Sequence, residues 1–406
     1  FFPEPVPSGE AWSAEVRQYI FEEWRNVAEC YAFQLYDGPP LEPLDLYTAK
    51  SGQEIVGQLY NFEDKGKRAV ALRPEMTPTL ARMVAARERH YKKPLKWYSI
   101  PQLFRYERQQ KGRLREHFQL NADILGEENW AADAELIALL IDTLRDLKLT
   151  SDDFVIRLSS RRAWQDFFEN GGGHESGTYD FYQIVDKLDR EDPAVSGDKL
   201  AKLGFSLEQV NDFIESGQPT DELAAIIGNI EARGLGDFIK IDYRIIRGLA
   251  YYTGPVYEAF DKRGKFRAIA GGGRYDHLVK LVSGGKNDLP ALGFGMGDVV
   301  LAELLRDRGL VPPLGQALDA FVQITDESLR NASLGLVQQL RQAGLATEYP
   351  LLKTKPDKQL KRALELNAKW LITLDNPTQA RVKNLKTRGE QTCLFDEVAR
   401  IAKANT

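Results

Sequence analysis

The sequence predicts an α+β fold, with an antiparallel sheet flanked by helices, a helical insertion and a smaller C-terminal α/β domain. Short strand-like runs at residues 57–62, 69–72 and 96–103 surround a helical pattern at residues 77–90. That order is typical of antiparallel sheets and not of regular βαβ units. Residues 160–235 are polar and helical in pattern, which interrupts the strands. The end of the chain alternates strands and helices, which indicates a separate α/β domain.

Length supports this division. The chain has 406 residues, too many for one compact core, so two or three domains are expected. Pro312, Pro313 and Gly315 mark a linker. The predicted parts are a sheet domain formed by residues 1–159 and 236–311, an insertion at residues 160–235, and a C-terminal domain at residues 318–406.

The N-terminal region begins with a long amphipathic helix. Apolar residues recur on one helical face across residues 13–31. Ser13 is the predicted N-cap, because its side chain can accept a hydrogen bond from the first turn. The pattern stops at DGPPLEPLDLY, whose prolines permit only an edge strand or irregular chain.

The C-terminal domain is predicted as βαβαββ followed by a helix. The strand patterns cover residues 319–324, 347–349, 370–374 and 380–384, and the helical patterns cover residues 329–343, 357–367 and 394–404.

Composition limits the classes of function and location. The formal net charge is -5, so any nucleic-acid binding has to rely on local basic patches. The two cysteines, Cys30 and Cys393, provide neither a disulfide framework nor a thiolate metal site, which fits a reducing cytoplasm. The four histidines lack metal-ligand spacing. No apolar run is long enough to span a bilayer, so no membrane association is expected.

The segment FRYERQQKGRLREHFQLNADILG, residues 104–126, is the strongest candidate for a binding site. Its first half carries several cations around a glycine, and its second half alternates apolar and polar residues like a strand with one face in a pocket. The pattern predicts a hairpin with Arg105 near its start. Gln119 and Asp123 should share one face of its second strand, because strand side chains repeat every two residues.

Four further segments suit a polar ligand. In ALRPEMTPTLAR, the Glu75 carboxylate beside Thr77 could receive an ammonium group or simply favour the helix dipole. In RGLAYYTGPVYEAF, Arg247 precedes a tyrosine pair that suits a planar ligand, although two adjacent tyrosines alone are more typical of an ordinary strand. AIAGGGRYDHLVKLV and ALGFGMGDVVLAELL contain glycines that would let a nucleotide lie against the backbone. Neither has P-loop or dinucleotide-fold spacing.

In this order, the segments resemble the class II aminoacyl-tRNA synthetases and, among them, the histidyl-tRNA synthetase family. FRYERQQKGRLRE is similar to motif 2 of that class, and the helix ending in YDGPPLEP is similar to motif 1, with Pro39 at a dimer interface. RGLAYYTG is similar to the family's histidine-binding signature, and AGGGRYDHL with GFGMGDVVL resembles the run into motif 3. The resemblance spans essentially the whole chain. It implies a class II catalytic domain, an insertion and an anticodon-binding domain.

The resemblance also implies a role for each matching residue. The residues implied to bind ATP, which would come with Mg²⁺, are Arg105 at the α-phosphate, Glu107, Arg113, His117 and Phe118. Those implied to bind L-histidine are Glu75, Thr77, Gln119, Asp123, Arg247, Tyr251, Tyr252 and Tyr275. Arg105 and Arg247 are the implied catalytic residues, and Gln110 and Lys111 are implied to meet the acceptor end of tRNA(His). No side chain is assigned to a metal, and a homodimer is the implied assembly.

Three positions depart from the family pattern. Val300 stands where most class II enzymes carry a motif 3 arginine that contacts the γ-phosphate, so either another cation replaces it or ATP binding is altered. His117 precedes Phe118, the reverse of the usual order, which leaves open which ring stacks on adenine. Asp123 and Ala250 stand where many members have Glu and Asp.

A rival function follows from the same resemblance. A non-catalytic relative is the regulatory subunit of ATP phosphoribosyltransferase, which binds histidine as a signal, and the loss of the motif 3 arginine favours it. The motif 2 cations and a basic C-terminal surface favour the synthetase. The cations of that surface are Lys353, Lys355, Lys358, Lys361 and Arg362 in one cluster and Arg381, Lys383, Lys386 and Arg388 in another. Each cluster could also be a solvated face. A stand-alone RNA-binding protein is a third alternative, but it leaves the histidine pocket unexplained.

Overall fold

The structure is a computed structural model that describes residues 13–48, 57–106, 114–188, 191–246, 251–314 and 318–404. The chain divides into two compact units, one that covers residues 12–312 and one that contains the chain from residue 313 onward. Each unit has its own sheet, and the predicted α+β class is confirmed. Within the described ranges, every helix is too short or too polar to cross a bilayer.

The larger unit is built on a nine-stranded sheet. Its strands and those of a small second sheet are β1 (Gln34–Leu35), β2 (Leu41–Pro43), β3 (Tyr60–Glu63), β4 (Ala69–Leu72), β5 (Leu95–Ser99), β6 (Gln102–Phe104), β7 (Glu116–Leu125), β8 (Phe154–Ser160), β9 (Ile239–Ile241), β10 (Pro255–Asp261), β11 (Ala270–Arg274) and β12 (Ala291–Gly297). The order in the large sheet is β1-β5-β7-β12-β11-β10-β8-β9, with β6 beside β7, and β2-β4-β3 form the small sheet. From β5 to β8 all neighbours are antiparallel, and the outer pairs β1–β5 and β8–β9 are parallel.

Helices pack around this sheet and fill the insertion. Those of the larger unit are Ala14–Cys30, Asp45–Thr48, Thr77–Arg87, Ala131–Asp146, Arg161–Asn170, Thr178–Val185, Pro193–Ala201, Leu207–Ser216, Asp221–Ala232, Leu278–Val282 and Asp298–Arg308. The first helix begins as predicted, because the Val16 N–H donates to the Ser13 hydroxyl at 3.2 Å. Ile20 and Trp24 on its apolar face are fully buried. Between β8 and β9 the described chain is helical, and its core is a cluster of aromatic rings around Trp164.

Three predicted boundaries in this unit were wrong. The run at residues 57–62 becomes a strand only from Tyr60, where β3 begins. The run at residues 96–103 is not one strand, because it divides into β5 and β6 around Pro101. Proline lacks the N–H that a continuous strand would need at that position. The helix predicted for residues 77–90 ends at Arg87 and continues only as a 3₁₀ turn, Glu88–His90.

A buried carboxylate joins three distant segments of the larger unit. The Phe118 N–H of β7 donates to Asp298 Oδ1 at 3.0 Å. Asp298 Oδ2 lies 3.2 Å from the Arg17 guanidinium of the first helix. Asp298 is itself the first residue of the helix Asp298–Arg308. Burial raises the pKa of Asp298 to about 6, although the Arg17 charge opposes this change.

The smaller unit is a five-stranded mixed sheet with three helices in its described part. Its elements are β13 (Ala320–Gln323), helix Arg330–Gln342, β14 (Thr347–Glu348), helix Pro356–Glu365, β15 (Trp370–Asn376), β16 (Gln379–Asn384), β17 (Glu390–Leu394) and helix Val398–Ala404. The order is β14-β13-β15-β16-β17. The predicted pattern is correct up to β16 but omits β17, and the last helix begins at Val398 instead of residue 394. The edge strand β17 is mostly exposed, so its sequence lacks the apolar alternation of a half-buried strand.

Candidate active site

A cavity of about 320 Å³ lies over the centre of the large sheet. It is lined by Glu75, Thr77, Arg105, Leu114, His117, Gln119, Asn121, Tyr251, Tyr252, Arg267, Ala268, Ile269, Ala270, Gly271, Tyr275, Gly293, Phe294, Gly295, Gly297, Val299 and Val300. Residues from five separate sequence segments therefore meet at one cavity. Apart from Arg267, all of them lie in segments that the sequence analysis singled out.

The residues at the N-terminus of the helix Thr77–Arg87 form one wall of the cavity. Glu75 is buried there, and Tyr251 donates its hydroxyl hydrogen to Glu75 Oε2 at 2.7 Å. Burial and the charge of Glu75 raise the pKa of Tyr251 well above its usual range, so the phenol keeps its proton. The hydrogen bond fixes the position of this carboxylate in the cavity wall.

Alternation along β7 decides which of its side chains reach the cavity. His117, Gln119 and Asn121 lie on the cavity face. Phe118 points to the opposite face, where its ring lies 5.1 Å from the Phe21 ring and 4.8 Å from the Arg17 guanidinium carbon. Consecutive strand residues face opposite sides of a sheet, so His117 and Phe118 cannot both contact one ligand. The structure does not bring Phe118 to the cavity, and His117 is the ring that lines it.

Asp123 lies on the same strand face but beneath the cavity surface. It is 1% exposed and is not among the described residues that line the cavity. Tyr275 donates its hydroxyl hydrogen to Asp123 Oδ1 at 2.5 Å, whereas Oδ2 is buried with no hydrogen-bond partner among the described residues. Burial raises the pKa of Asp123 to about 7. Asp123 thus supports the cavity through Tyr275.

Glycines form the floor of the cavity. Gly271 of β11 pairs with Gly295 of β12, and both line the cavity. A Cβ added at Gly295 would overlap the Gln119 amide, and one added at Gly293 would overlap the Asp123 carboxylate. Glycine at both positions leaves room for these two side chains over the strand.

The described lining residues include two cations, one carboxylate and one neutral imidazole. Arg105 is fixed by the hydrogen bond from its Nε to the Pro74 carbonyl oxygen at 2.9 Å. Burial and the nearby Arg105 charge lower the pKa of His117 to about 4, so this imidazole is neutral at pH 7. Arg267, which the sequence analysis did not select, is the second cation. Within the described residues, no group of three or more His, Cys, Asp or Glu side chains is arranged to hold a metal ion.

Several predicted site residues fall outside the described ranges. These are Glu107, Gln110, Lys111, Arg113, Arg247 and Ala250. The remaining predicted residues of the cavity wall, Thr77 and Tyr252, line it. The sequence analysis missed Asn121 and Arg267 as lining residues. The alternation of β7 could have identified Asn121, because it lies two residues after Gln119.

The raised pKa of Asp123 predicts a pH-dependent stability. An unfolded aspartate titrates near about 4, whereas folded Asp123 titrates at about 7. Between these values the folded state holds a proton that the unfolded chain has lost. The resulting stabilisation is complete below the unfolded pKa and disappears as pH rises through the folded pKa. We expect Asp123→Asn, which does not titrate, to gain stability relative to the unmodified protein as pH rises.

Urea unfolding of both proteins between about pH 5 and pH 8 measures this difference. A difference in the free energy of unfolding that stays constant over that range would contradict the assignment. Asp133→Asn is not a suitable control, because burial raises the pKa of Asp133 to about 7 as well. The exposed Asp288, which pairs with Lys280 at 2.6 Å, is a suitable control position.

Known proteins resemble this chain along most of its length. A family model described as Histidyl-tRNA synthetase matches residues 12–298. Histidine--tRNA ligase of Opitutus terrae is 44% identical, over 92% of this chain and 91% of the relative. The chloroplastic/mitochondrial histidine--tRNA ligase of Arabidopsis thaliana is 38% identical, over 88% of this chain and 76% of the relative.

The same family is found among solved structures. The crystal structure of histidyl-tRNA synthetase from Nostoc sp. PCC 7120 has a TM-score of 0.78 and 24% identity, and the match covers 100% of both chains. That likeness concerns the fold. The family model and the relatives, together with a cavity that gathers the predicted segments, establish that the chain belongs to the histidyl-tRNA synthetase family.

Proposed function

We propose that this chain activates L-histidine with ATP to give histidyl-adenylate and then transfers the histidyl group to the 3′ end of tRNA(His). One observation carries the proposal: a buried carboxylate, Glu75, and a fixed cation, Arg105, line the same cavity. An amino acid has an ammonium group and a carboxylate, and activation joins that carboxylate to a phosphate. Glu75 can bind the ammonium group, and Arg105 can bind the phosphate that the carboxylate attacks.

Glu75 would bind the ammonium group of histidine. Its carboxylate is held by Tyr251, and a charge-assisted hydrogen bond in a buried site is strong. Thr77 and Gln119 also line the cavity and can supply a hydroxyl and an amide oxygen. Tyr252 and Tyr275 would form the walls around the imidazole, with Asp123 orienting the Tyr275 hydroxyl.

Activation needs no nucleophile from the protein. A carboxylate oxygen of histidine attacks the α-phosphorus of ATP, and the bond from that phosphorus to the pyrophosphate oxygen breaks. Negative charge develops on the α-phosphate oxygens in the transition state, and a cation fixed in advance stabilises it. Arg105 would have this role, because its Nε bond to Pro74 leaves the terminal nitrogens for the phosphate. Mg²⁺ in nucleotide sites is usually held by the phosphates themselves, so MgATP is the proposed second substrate.

The neutral His117 would stack on the adenine. Phe118 is excluded from this contact by its position among the helices. A neutral ring avoids placing another charge beside Arg105, whose field itself lowers the pKa of His117. The residues outside the described ranges keep the roles implied by the resemblance: Glu107 at the adenine, Arg113 at the terminal phosphates and Arg247 at the reacting carboxylate. Gln110 and Lys111 would meet the tRNA acceptor end.

The smaller unit would bind the anticodon arm of the tRNA. Lys353, Lys355 and Lys358 are exposed around the start of the helix Pro356–Glu365, which suits contact with phosphates. Both predicted clusters also contain cations in ion pairs, since Arg362 lies 3.7 Å from Glu365 and Arg381 lies 2.8 Å from Asp375. The three lysines at the start of the helix are therefore the proposed tRNA contacts.

A homodimer in the cytoplasm is the proposed state of the enzyme. Leu35, Leu41 and Phe62 expose 64%, 40% and 51% of their surfaces near the segment that resembles motif 1, and apolar side chains of this kind are typical of protein interfaces. Cys30 and Cys393 are both free thiols, which fits a reducing compartment.

The regulatory-subunit alternative is not favoured. The relatives at 34% to 44% identity are named histidine--tRNA ligase. Arg105 remains in the cavity, where a histidine sensor would need no α-phosphate contact. The loss of the motif 3 arginine at Val300 nevertheless needs an explanation.

Histidine-dependent exchange of labelled pyrophosphate into ATP tests the function. We expect exchange with L-histidine and Mg²⁺, no exchange without histidine, and charging of tRNA(His) in a second step. Histidine binding without exchange would favour the regulatory alternative. Omission of histidine controls for contaminating exchange, and omission of tRNA separates activation from transfer.

A further inference from the structure

The charge of the cavity does not match a triphosphate if Arg105 acts alone. Among the described lining residues, Arg105 and Arg267 are the two that carry a positive charge at neutral pH, because the lowered pKa of His117 keeps it neutral. Glu75 would be balanced by the ammonium group of histidine. With Arg105 at the α-phosphate, and with Arg113 and Mg²⁺ assigned to the terminal phosphates, the γ-phosphate contact that the motif 3 arginine makes in most class II enzymes still needs a cation.

The helix Asp298–Arg308 does not provide one. Its first turn lines the cavity with Val299 and Val300, and neither carries a charge. Asp298 is occupied by Arg17 and by the Phe118 N–H. A cation at this end of the cavity therefore has to come from another element.

Sheet pairing brings Arg267 to this end. β11 and β12 are antiparallel, and their last pair is Ala270 opposite Met296. The residues just before Ala270 therefore run beside the residues that follow Met296. Arg267 lies before β11, and Val299 and Val300 lie after β12. All three line the same cavity, and the Arg267 side chain is exposed at its rim.

We propose that Arg267 binds the β- and γ-phosphates of ATP and supplies the positive charge that Val300 lacks. This inference rests on the proposed function. A guanidinium can donate two parallel hydrogen bonds to phosphate oxygens. In that position it stabilises the pyrophosphate as it leaves the α-phosphorus, and it accepts no proton and forms no covalent bond.

A comparison of ATP with AMP tests the assignment, because AMP lacks the two phosphates that Arg267 would contact. For Arg267→Ala, calorimetric titration in Mg²⁺ should show the Kd for ATP raised about tenfold and the Kd for AMP within about twofold of the unmodified protein. Arg267→Lys keeps the charge but loses the paired donors, so its Kd for ATP should fall between those of the unmodified protein and Arg267→Ala. The KM for ATP in pyrophosphate exchange should follow the same order, with the KM for histidine unchanged.

Lys262→Ala is the matched control. Lys262 is an exposed cation in the connection between β10 and β11, and it is not among the described residues that line the cavity. We expect it to bind both nucleotides normally. Equal affinity of Arg267→Ala and the unmodified protein for ATP would overturn the inference, as would an equal loss for ATP and AMP. If the unmodified protein lacked exchange, the proposed function would fail, and the ATP and AMP titrations would still test Arg267.

Discussion

Replacement of Arg105 by alanine is expected to lower histidine-dependent pyrophosphate exchange about 10²- to 10³-fold, the range found when a fixed transition-state donor is removed. The reason is the fixed position of the guanidinium. The Arg105 backbone N–H donates to the Arg115 carbonyl oxygen at 2.9 Å, and its Nε donates to the Pro74 carbonyl oxygen. Water that fills the space left by the side chain would have to reorient as charge develops on the α-phosphate.

The same hairpin offers the control for this variant. Arg115 is exposed, its guanidinium carbon lies 4.5 Å from the Tyr106 ring centroid, and it is not among the described residues that line the cavity. Arg115→Ala removes the same charge from the hairpin and should retain most of the exchange activity. Histidine binding by Arg105→Ala, measured by calorimetry, should remain close to that of the unmodified protein. Normal exchange by a folded Arg105→Ala protein would refute the assigned role.

Gly295→Ala is the second substitution with a large expected effect. A Cβ at this position would overlap the Gln119 amide, so either the strand or the side chain has to move. The overlapping atoms are the end of a flexible side chain that lines the cavity, so Gln119 can turn away at a small cost in stability. A displaced Gln119 would lose its proposed contact with the histidine ammonium group. We expect a raised KM for histidine in exchange kinetics, with a small change in the free energy of unfolding in urea titration.

Two further variants separate the steric effect from the functional one. A Cβ at Gly297, on the same strand, meets nothing within 4 Å, so Gly297→Ala should leave the KM for histidine close to that of the unmodified protein. Gln119→Ala combined with Gly295→Ala should raise the KM no further than Gln119→Ala alone, because both changes remove the same side chain from its position. An unchanged KM in Gly295→Ala would mean that Gln119 is not held as described.

Local signals in the sequence were sufficient for much of the fold. The Ser13 cap and the apolar face that contains Ile20 and Trp24 predicted the first helix, because both are properties of neighbouring residues. The break at Pro101 was missed, although proline at that position carries the information. β17 was missed because an exposed edge strand has no buried face to impose a pattern.

The cavity was predicted in part for a similar reason. Gln119 lies on a strand whose polar residues are unusual for a purely structural element, whereas Glu75 and Tyr251 were assigned through the resemblance, and all three line the cavity. Assigning both His117 and Phe118 to the ligand ignored the alternation of β7. Arg267 left no local signal, because its position depends on the pairing of β11 with β12.

The buried Asp298 carboxylate connects the strand β7 to the first helix of the larger unit. His117 and Gln119 of β7 line the cavity. The N–H of Phe118, which lies between them, donates to Asp298, and Asp298 pairs with Arg17 of the first helix. These two contacts connect the strand that forms the cavity wall to the first helix, on the opposite face of the sheet. The helix in the segment that resembles motif 1 is therefore linked to the cavity without lining it.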